Sequence, residues 1–167
     1  MFSGPHQEPF ICETQFFQLP VITGNLGMTS PPNCGITTRV DYFYRTTPNN
    51  FRLWPGGGTY PTDLVTTTNT LGVEVPYIIR METGTINRAI YQTTILHDPI
   101  AEPTPNWHTR PKGWPGRLIY TFGGGCIGGW YRQGRSTGGV TDNFMLSNGY
   151  ALASSSLNVF GNNCSGT

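Results

Sequence analysis

The sequence predicts an α/β chain that is rich in strands and loops and contains one short helix. Two long runs of β-branched and aromatic residues, 73–81 and 85–96, are typical of neighbouring strands. Residues 117–157 then give a strand, a glycine-rich loop, a short helix and a second strand, which is the order of a βαβ unit. The other residues are rich in glycine and proline, which favour turns and loops.

The first 70 residues are expected to form a loop-rich segment with one strand. Residues 1–38 show no hydrophobic period and are interrupted by five prolines, so this part needs a covalent staple. Residues 39–46 alternate between the two faces of a half-buried strand. A glycine- and proline-rich loop follows at 47–60.

Residues 71–167 are expected to hold a hairpin and the first βαβ unit of the core. The two long runs form the hairpin, with its turn at 82–84 and with Pro76 at an edge or a bulge. The proline-rich residues 97–116 predict a long crossing on the surface, and loops of this length often carry function.

The short helix of the βαβ unit is predicted over residues 141–148. Thr141 is expected to cap its start, and Gly149 is expected to end it. Phe144 and Met145 would form its buried side.

The second strand of the unit, 150–157, is expected to pair in parallel with the first. Its small residues predict a buried and tightly packed strand. With only one βαβ unit in the chain, we expect this strand to keep an unpaired edge and an uncovered face.

The charge composition argues against two kinds of partner. Charged residues make up 11% of the chain, and the formal net charge is +1 with no basic cluster. Nucleic acids and anionic membranes attract clustered lysines and arginines, so neither is expected as a partner. No apolar run approaches the roughly 20 residues that a membrane-spanning helix needs.

The cysteines indicate the compartment. They are Cys12, Cys34, Cys126 and Cys164. Because they lack the C-x-x-C spacing of zinc and redox sites, no metal centre is expected. An even count in a loop-rich, charge-poor chain predicts two disulfides and a secreted or periplasmic protein. Of the three possible pairings we favour the first cysteine with the second and the third with the fourth; buried free thiols are the alternative.

The most informative stretch is the glycine-rich loop after the strand 117–122. Gly123, Gly124 and Gly125 can take positive φ and turn their N–H groups outward, and Cys126 comes next. Such a strand end can donate hydrogen bonds to the oxyanion of an acyl-transfer reaction or to the phosphates of a nucleotide. A tight structural turn is the third interpretation.

The nucleotide interpretation fails in its context. Residues 123–128 match the pattern G-x-G-x-x-G after a strand, but serines stand at 154–156, where a dinucleotide site needs an acidic residue. Residues 129–134 are also a poor opening for a phosphate-binding helix. Neither a nucleotide nor any other cofactor is therefore expected.

A serine-nucleophile pattern also occurs, since residues 134–138 match G-x-S-x-G around Ser136. That motif needs a buried strand directly before the serine, and here the glycine loop occupies that place. Ser136 is therefore expected to be a loop serine. The histidines, His6, His97 and His108, have no partner at ligand or base spacing and are expected in surface or hydrogen-bonded loops.

The chain resembles a family of secreted bacterial proteins of unassigned function in the strings TFGGGCIGGWYRQG, GYALASSSLNVFGNNC, SGPHQEPFICET and TRVDYFYRT. Their core is similar to α/β-hydrolases and, more distantly, to tannases and feruloyl esterases. The resemblance implies that 118–122 is the strand before an oxyanion loop. It also implies that Gly124, Gly125 and Cys126 lie in that loop as backbone donors and that 150–157 is the following strand.

The resemblance further implies that the chain is the N-terminal part of an α/β-hydrolase-type sheet. In that fold the nucleophile follows the next strand and the acid and histidine come later, so all three would lie outside these residues. We therefore expect a secreted serine-type ester hydrolase, completed by its C-terminal remainder or by a second chain packed on residues 141–157. Its substrate would be a small-molecule or polymeric ester.

A non-catalytic, secreted, β-rich binding or assembly module is the alternative. The glycines would then form only a turn. Aromatic residues, 13% of the chain, would serve contacts with carbohydrate or protein.

Overall fold

The computed structural model describes residues 10–47, 50–122 and 132–158. These residues form mostly strands and loops, with one short α-helix. The strands and the helix are β1 (Arg39–Arg45), β2 (Phe51–Leu53), β3 (Thr66–Thr68), β4 (Glu74–Pro76), β5 (Ile78–Ile86), β6 (Ala89–Leu96), β7 (Leu118–Tyr120), α1 (Asn143–Ser147) and β8 (Ala151–Ser155). The described part of the chain is thus a β-rich α/β structure, as the sequence predicts.

Six strands form one mixed sheet in the order β2-β1-β5-β6-β8-β7. Neighbouring strands are antiparallel except β7 and β8, which run in parallel with Leu118 opposite Ala151 and Tyr120 opposite Ala153. This confirms the parallel pair that the βαβ order predicts. The strands β3 and β4 form a separate antiparallel pair.

The strand β8 has neighbours on both sides, so the expectation that residues 150–157 keep an unpaired edge is wrong. One side of β8 pairs with β6 and the other with β7. Among the described strands of this sheet, the two at the edges are β2 and β7, and β7 lies on the side of β8. The hairpin strand β6 returns beside β8, and local sequence patterns do not encode such a long-range pairing.

The hairpin turn lies at Asn87 and Arg88, not at residues 82–84, which are part of β5. Asn87 and Arg88 have φ of 48° and 68°, and positive φ at both central residues is typical of a type I′ turn. Gly84 belongs to the strand because the ring of Tyr91 lies against it. A Cβ at Gly84 would come within 2.6 Å of that ring.

The helix α1 begins and packs differently from its prediction. Asp142, not Thr141, caps it: its Oδ1 accepts a hydrogen bond from the N–H of Met145 at 2.8 Å. The fully buried residue is Leu146, whereas Phe144 is 69% exposed. No helix among the described residues is long and apolar enough to cross a membrane.

The main core covers one face of the sheet. Phe43, Ile79, Leu96 and Leu152 come from four adjacent strands and are fully buried in it. Leu146 of α1 packs into the same cluster. The helix therefore lies on the core face of the sheet.

The opposite face is exposed near β7. Leu118, Tyr120 and Phe122 are 61%, 37% and 72% exposed. The first two are paired with the small residues Ala151 and Ala153 of β8, which share their face. Apolar exposure therefore lies on β7 and its end, next to the open edge.

A disulfide between Cys12 and Cys34 holds the irregular N-terminal segment. This is the pairing that the sequence favours for the first two cysteines. Both cysteines and Phe10 form a small buried cluster of their own. Cys126 and Cys164 lie outside the described residues, so the second disulfide stays a prediction, as does the division of the chain at residue 70.

Candidate functional site

The predicted oxyanion donors, Gly124, Gly125 and Cys126, lie outside the described residues. The structure instead shows the two flanks of that stretch. The upstream flank is Thr121 at the end of β7, and the downstream flank begins at Arg132. Each flank is held by hydrogen bonds to buried parts of the fold.

The upstream flank continues the parallel ladder beyond β7. The N–H of Thr121 donates to the carbonyl oxygen of Ala153 at 2.9 Å. Ser154 Oγ donates to the carbonyl oxygen of Thr121 at 2.8 Å, and it accepts the N–H of Gly138 at 2.7 Å. Thr121 Oγ1 donates to the carbonyl oxygen of Gly139 at 2.7 Å. These bonds fasten residues 138–139 to the end of β7.

The downstream flank is held by Gln133, whose side chain is fully buried. Its Nε2 donates to the carbonyl oxygen of Cys34 at 2.9 Å, and its Oε1 accepts the N–H of Glu13 at 3.0 Å. Its backbone N–H donates to the carbonyl oxygen of Ile11 at 2.9 Å. Its own carbonyl oxygen accepts the hydroxyl of Ser156 at 2.5 Å. Gln133 therefore joins the N-terminal segment to the end of β8.

Glu13 lies beside Gln133, and its side chain is only 1% exposed. Its Oε2 accepts the N–H of Gly134 at 3.0 Å, and its Oε1 accepts Nε of Arg135 at 2.7 Å. Nη1 of Arg132 lies 3.6 Å from the same Oε1. A buried carboxylate is costly unless it is paired and hydrogen-bonded, and here the chain just after the glycine-rich stretch supplies these partners.

Sequence reasoning missed this cluster. Glu13 and Gln133 are 120 positions apart, and their spacing matches no motif. The available signal was weak: an acidic residue next to a cysteine in a chain with few charges. Only the fold brings these two residues together.

The two described histidines contact neighbouring residues through hydrogen bonds or ring contacts. Nε2 of His97 lies 3.1 Å from the carbonyl oxygen of Pro103, which can only accept, so this nitrogen carries the proton. Nδ1 then accepts the hydroxyl of Tyr42 at 2.9 Å. Burial lowers the pKa of the His97 imidazole below its usual value. His108 stacks on the exposed Trp107 with ring centroids 3.4 Å apart.

Ser136 lies on the surface near a small cavity of about 250 Å³. Neither His97 nor His108 donates to or accepts from this serine. The described residues therefore do not form a serine–histidine pair at Ser136, and they contain no cluster of acidic, histidine or cysteine side chains that could hold a metal ion. His6 lies outside the described ranges.

The fold defines a β-rich α/β protein, in which hydrogen bonds hold the described residues on both flanks of the glycine-rich stretch. The chain belongs to the tannase-like family of unknown function DUF6351, whose model matches residues 1–167. The resemblance to an unassigned tannase-like family is therefore confirmed. No curated protein and no solved structure matches the chain.

Proposed function

We propose that the chain is the oxyanion-bearing part of a secreted serine-type ester hydrolase. The backbone N–H groups of Gly124, Gly125 and Cys126 are its donors, and the nucleophile, acid and histidine lie outside these 167 residues. The observation that carries the proposal is that both flanks of the glycine-rich segment are held by hydrogen bonds, Thr121 at the end of β7 by Ser154 and Gln133 by the backbone of Cys34. Oxyanion donors must be held in place before the reaction to be effective.

The order of the last four sheet strands supports this proposal. They lie in the order β5-β6-β8-β7, β6 runs against both neighbours, and β7 and β8 are parallel. An α/β-hydrolase sheet begins with its strands in the order first, second, fourth, third, and its second strand runs against the others. By this likeness β7 is the third strand, and the loop after the third strand supplies an oxyanion donor in that fold. This likeness concerns the fold, and the family adds a tannase-like relationship.

The mechanism follows from the chemistry of acyl transfer. A serine outside the chain attacks the ester carbonyl and gives its proton to the histidine. The C=O π bond opens, and the alcohol later leaves with that proton as the carbonyl re-forms. Until then, negative charge lies on the carbonyl oxygen. Donors from the glycine-rich segment stabilise that oxygen in the transition state. Removal of one such donor typically lowers kcat by about 10²–10³.

The open edge of β7 supports a partner that completes the sheet. A further parallel strand would pair with this edge, and the partner that supplies it would pack beside Leu118, Tyr120 and Phe122, which are exposed. We propose that this strand comes from the C-terminal remainder of the same protein or from a second chain. It would also pack on residues 141–157, and an obligate interface of this kind buries more than about 2,000 Å².

A fluorophosphonate probe tests the proposal. It should label a serine of the native protein and leave residues 1–167 unlabelled when they are produced alone. Gly124→Val and Gly125→Val should abolish turnover of a model ester, because β-branched residues resist positive φ. They should also slow labelling of the serine, because the phosphonyl oxygen of the probe would use the same donors. Labelling of Ser136 in the isolated chain would place the nucleophile inside it and contradict the proposal.

The exposed side chains of β7 favour one alternative. Tyr120 and Phe122 have ring centroids 4.7 Å apart, and together with Leu118 they form an apolar stripe. A non-catalytic, secreted binding or assembly module would use such a stripe for contact with a partner. Native protein that hydrolyses no model ester and takes up no probe would favour this function.

A further inference from the structure

We infer that Glu13 and Gln133 are positioning residues, through which the Cys12–Cys34 disulfide fixes the chain that leaves the glycine-rich segment. The structural part of this inference rests on the described contacts alone. Its catalytic consequence rests on the proposed oxyanion role. Neither residue would touch the substrate; both would act through the backbone that follows the donors.

Glu13 makes its contacts with the chain just after the glycine-rich segment. The buried carboxylate of Glu13 is bound by the N–H of Gly134 at 3.0 Å and by Arg135 at 2.7 Å, with Arg132 3.6 Å away. All three partners lie within a few residues of the downstream end of the glycine-rich segment. The guanidinium of Arg135 also lies 4.5 Å above the ring of Phe16, a second contact with the N-terminal segment.

Gln133, in turn, makes its contacts with the N-terminal segment. It binds the backbone of Ile11, Glu13 and Cys34, and Ile11 forms a parallel bridge with Arg132. Each segment therefore satisfies buried polar groups of the other. A buried polar network that loses one member leaves unpaired donors and acceptors, so the two segments are expected to move together.

The Cys12–Cys34 disulfide lies next to both sets of contacts. Cys12 directly precedes Glu13, and the carbonyl oxygen of Cys34 accepts from Gln133. The residues between the cysteines contain one short 3₁₀ turn, Thr14–Phe16, and no strand. The cross-link therefore ties Cys12, which directly precedes Glu13, to Cys34, whose carbonyl oxygen binds Gln133. Its reduction should release the downstream flank before it affects the sheet.

Hydrogen–deuterium exchange of the native protein tests the structural part. Glu13→Gln leaves one acceptor oxygen where the carboxylate uses two, for Gly134 and Arg135, and it removes the negative charge, so amides of residues 132–138 should exchange at least tenfold faster. Those of β6 and β8 should be unchanged. The double variant C12S/C34S should give the same local pattern. Glu74→Gln, at an exposed carboxylate that binds Thr66, is the matched control and should change nothing there.

A milder variant guards against loss of folding. Arg135→Gln alters a side chain that is 56% exposed, so the fold should survive. We expect it to accelerate exchange at Gly134 in the same direction and to a smaller extent. Arg52→Gln is its control, because Arg52 is 62% exposed and pairs with Asp63 in another part of the structure.

Ester hydrolysis by the same variants tests the catalytic part. Glu13→Gln and Arg135→Gln should lower kcat with little change in KM, because oxyanion donors act mainly in the transition state. Unchanged exchange at 132–138 in both variants would overturn the inference, whatever the activity. Faster exchange with unchanged kcat would overturn the positioning role. Absence of any hydrolysis in the wild type would instead defeat the proposed function, and exchange would still decide whether the tether exists.

Discussion

Gly138 lies against Thr121 and Ser154, and these neighbours leave little room for a side chain. A Cβ built there would lie 2.7 Å from the carbonyl oxygen of Thr121 and 3.1 Å from Oγ of Ser154. Gly138→Ala is therefore expected to cost about 1–3 kcal/mol of unfolding free energy, because an overpacked site must displace the strand end. Urea denaturation of the native protein measures this. Gly58→Ala, with open space around its Cβ, is the control; an equal loss in both variants would contradict the prediction.

His97 should make stability depend on pH. Burial lowers the pKa of its imidazole in the folded state, so below the ordinary pKa of about 6.5 the unfolded chain binds a proton that the folded chain does not. The contribution is complete above that pH and decreases as the pH falls toward the folded pKa.

Urea midpoints measured at pH 7.5 and pH 5 check this pH dependence. His97→Asn should reduce the difference between them, whereas His108→Asn, at an exposed ring, should leave it unchanged. A steeper dependence in His97→Asn than in the wild type would show that the sign is wrong.

At the level of elements, α1 offers a direct choice between two caps. Asp142 accepts the N–H of Met145, whereas the sequence favoured Thr141 for this role. Asp142→Ala should therefore lower the unfolding free energy by about 1 kcal/mol, and Thr141→Ala should stay within about 0.5 kcal/mol of the wild type. Thermal or urea unfolding of the two variants measures the difference. The reverse order would mean that the helix begins one residue earlier.

The elements also show what sequence patterns reach. The runs 73–81 and 85–96 correctly indicate a hairpin, since β-branched residues suit a pleated sheet wherever it lies, but the bounds of the first strand are wrong. Residues 73–81 cover β4, which ends at Pro76, and only the first part of β5. The predicted turn at 82–84 depends on Gly84, but that residue lies inside β5. Its role is to make room for the ring of Tyr91, a neighbour across the sheet. Asn87 and Arg88 turn the chain instead, and asparagine tolerates the left-handed region better than most residues.

Local sequence patterns say even less about the candidate site than about the strands, because its contacts join distant parts of the chain. The glycine-rich segment was visible in the sequence because its signal is local. The residues that fasten it, Glu13 and Gln133, are ordinary polar residues until the fold buries them together. Sequence spacing carries no record of that contact, and only a three-dimensional structure could assign it.

At the scale of the whole molecule, the order of strands decides where a partner can attach. Because β8 lies between β6 and β7, it offers no free edge for a further strand. Three exposed apolar side chains lie close together on β7 and just beyond it, at Leu118, Tyr120 and Phe122. An edge strand with exposed apolar side chains is prone to self-association, and a partner that pairs with β7 would remove this tendency.

The open edge leads to a prediction about the isolated chain. Residues 1–167 alone should self-associate, and the double variant L118K/F122K should reduce this, because charged side chains at an edge oppose strand pairing. The same variant should prevent the native protein from forming its complete sheet and hydrolysing model esters. Analytical ultracentrifugation of the isolated chain and activity of the native protein measure the two effects.

Two exposed side chains serve as controls for the surface that matters. Phe144, which is 69% exposed on α1, separates attachment at β7 from attachment over the helix. If the edge dominates, Phe144→Lys should leave self-association almost unchanged, as should Met28→Lys, at a residue that is 83% exposed in the N-terminal segment. A strong effect of Phe144→Lys with none from L118K/F122K would move the partner to the helix. A soluble monomer of residues 1–167 that melts cooperatively would show that the chain needs no partner, and would favour the binding module over the hydrolase.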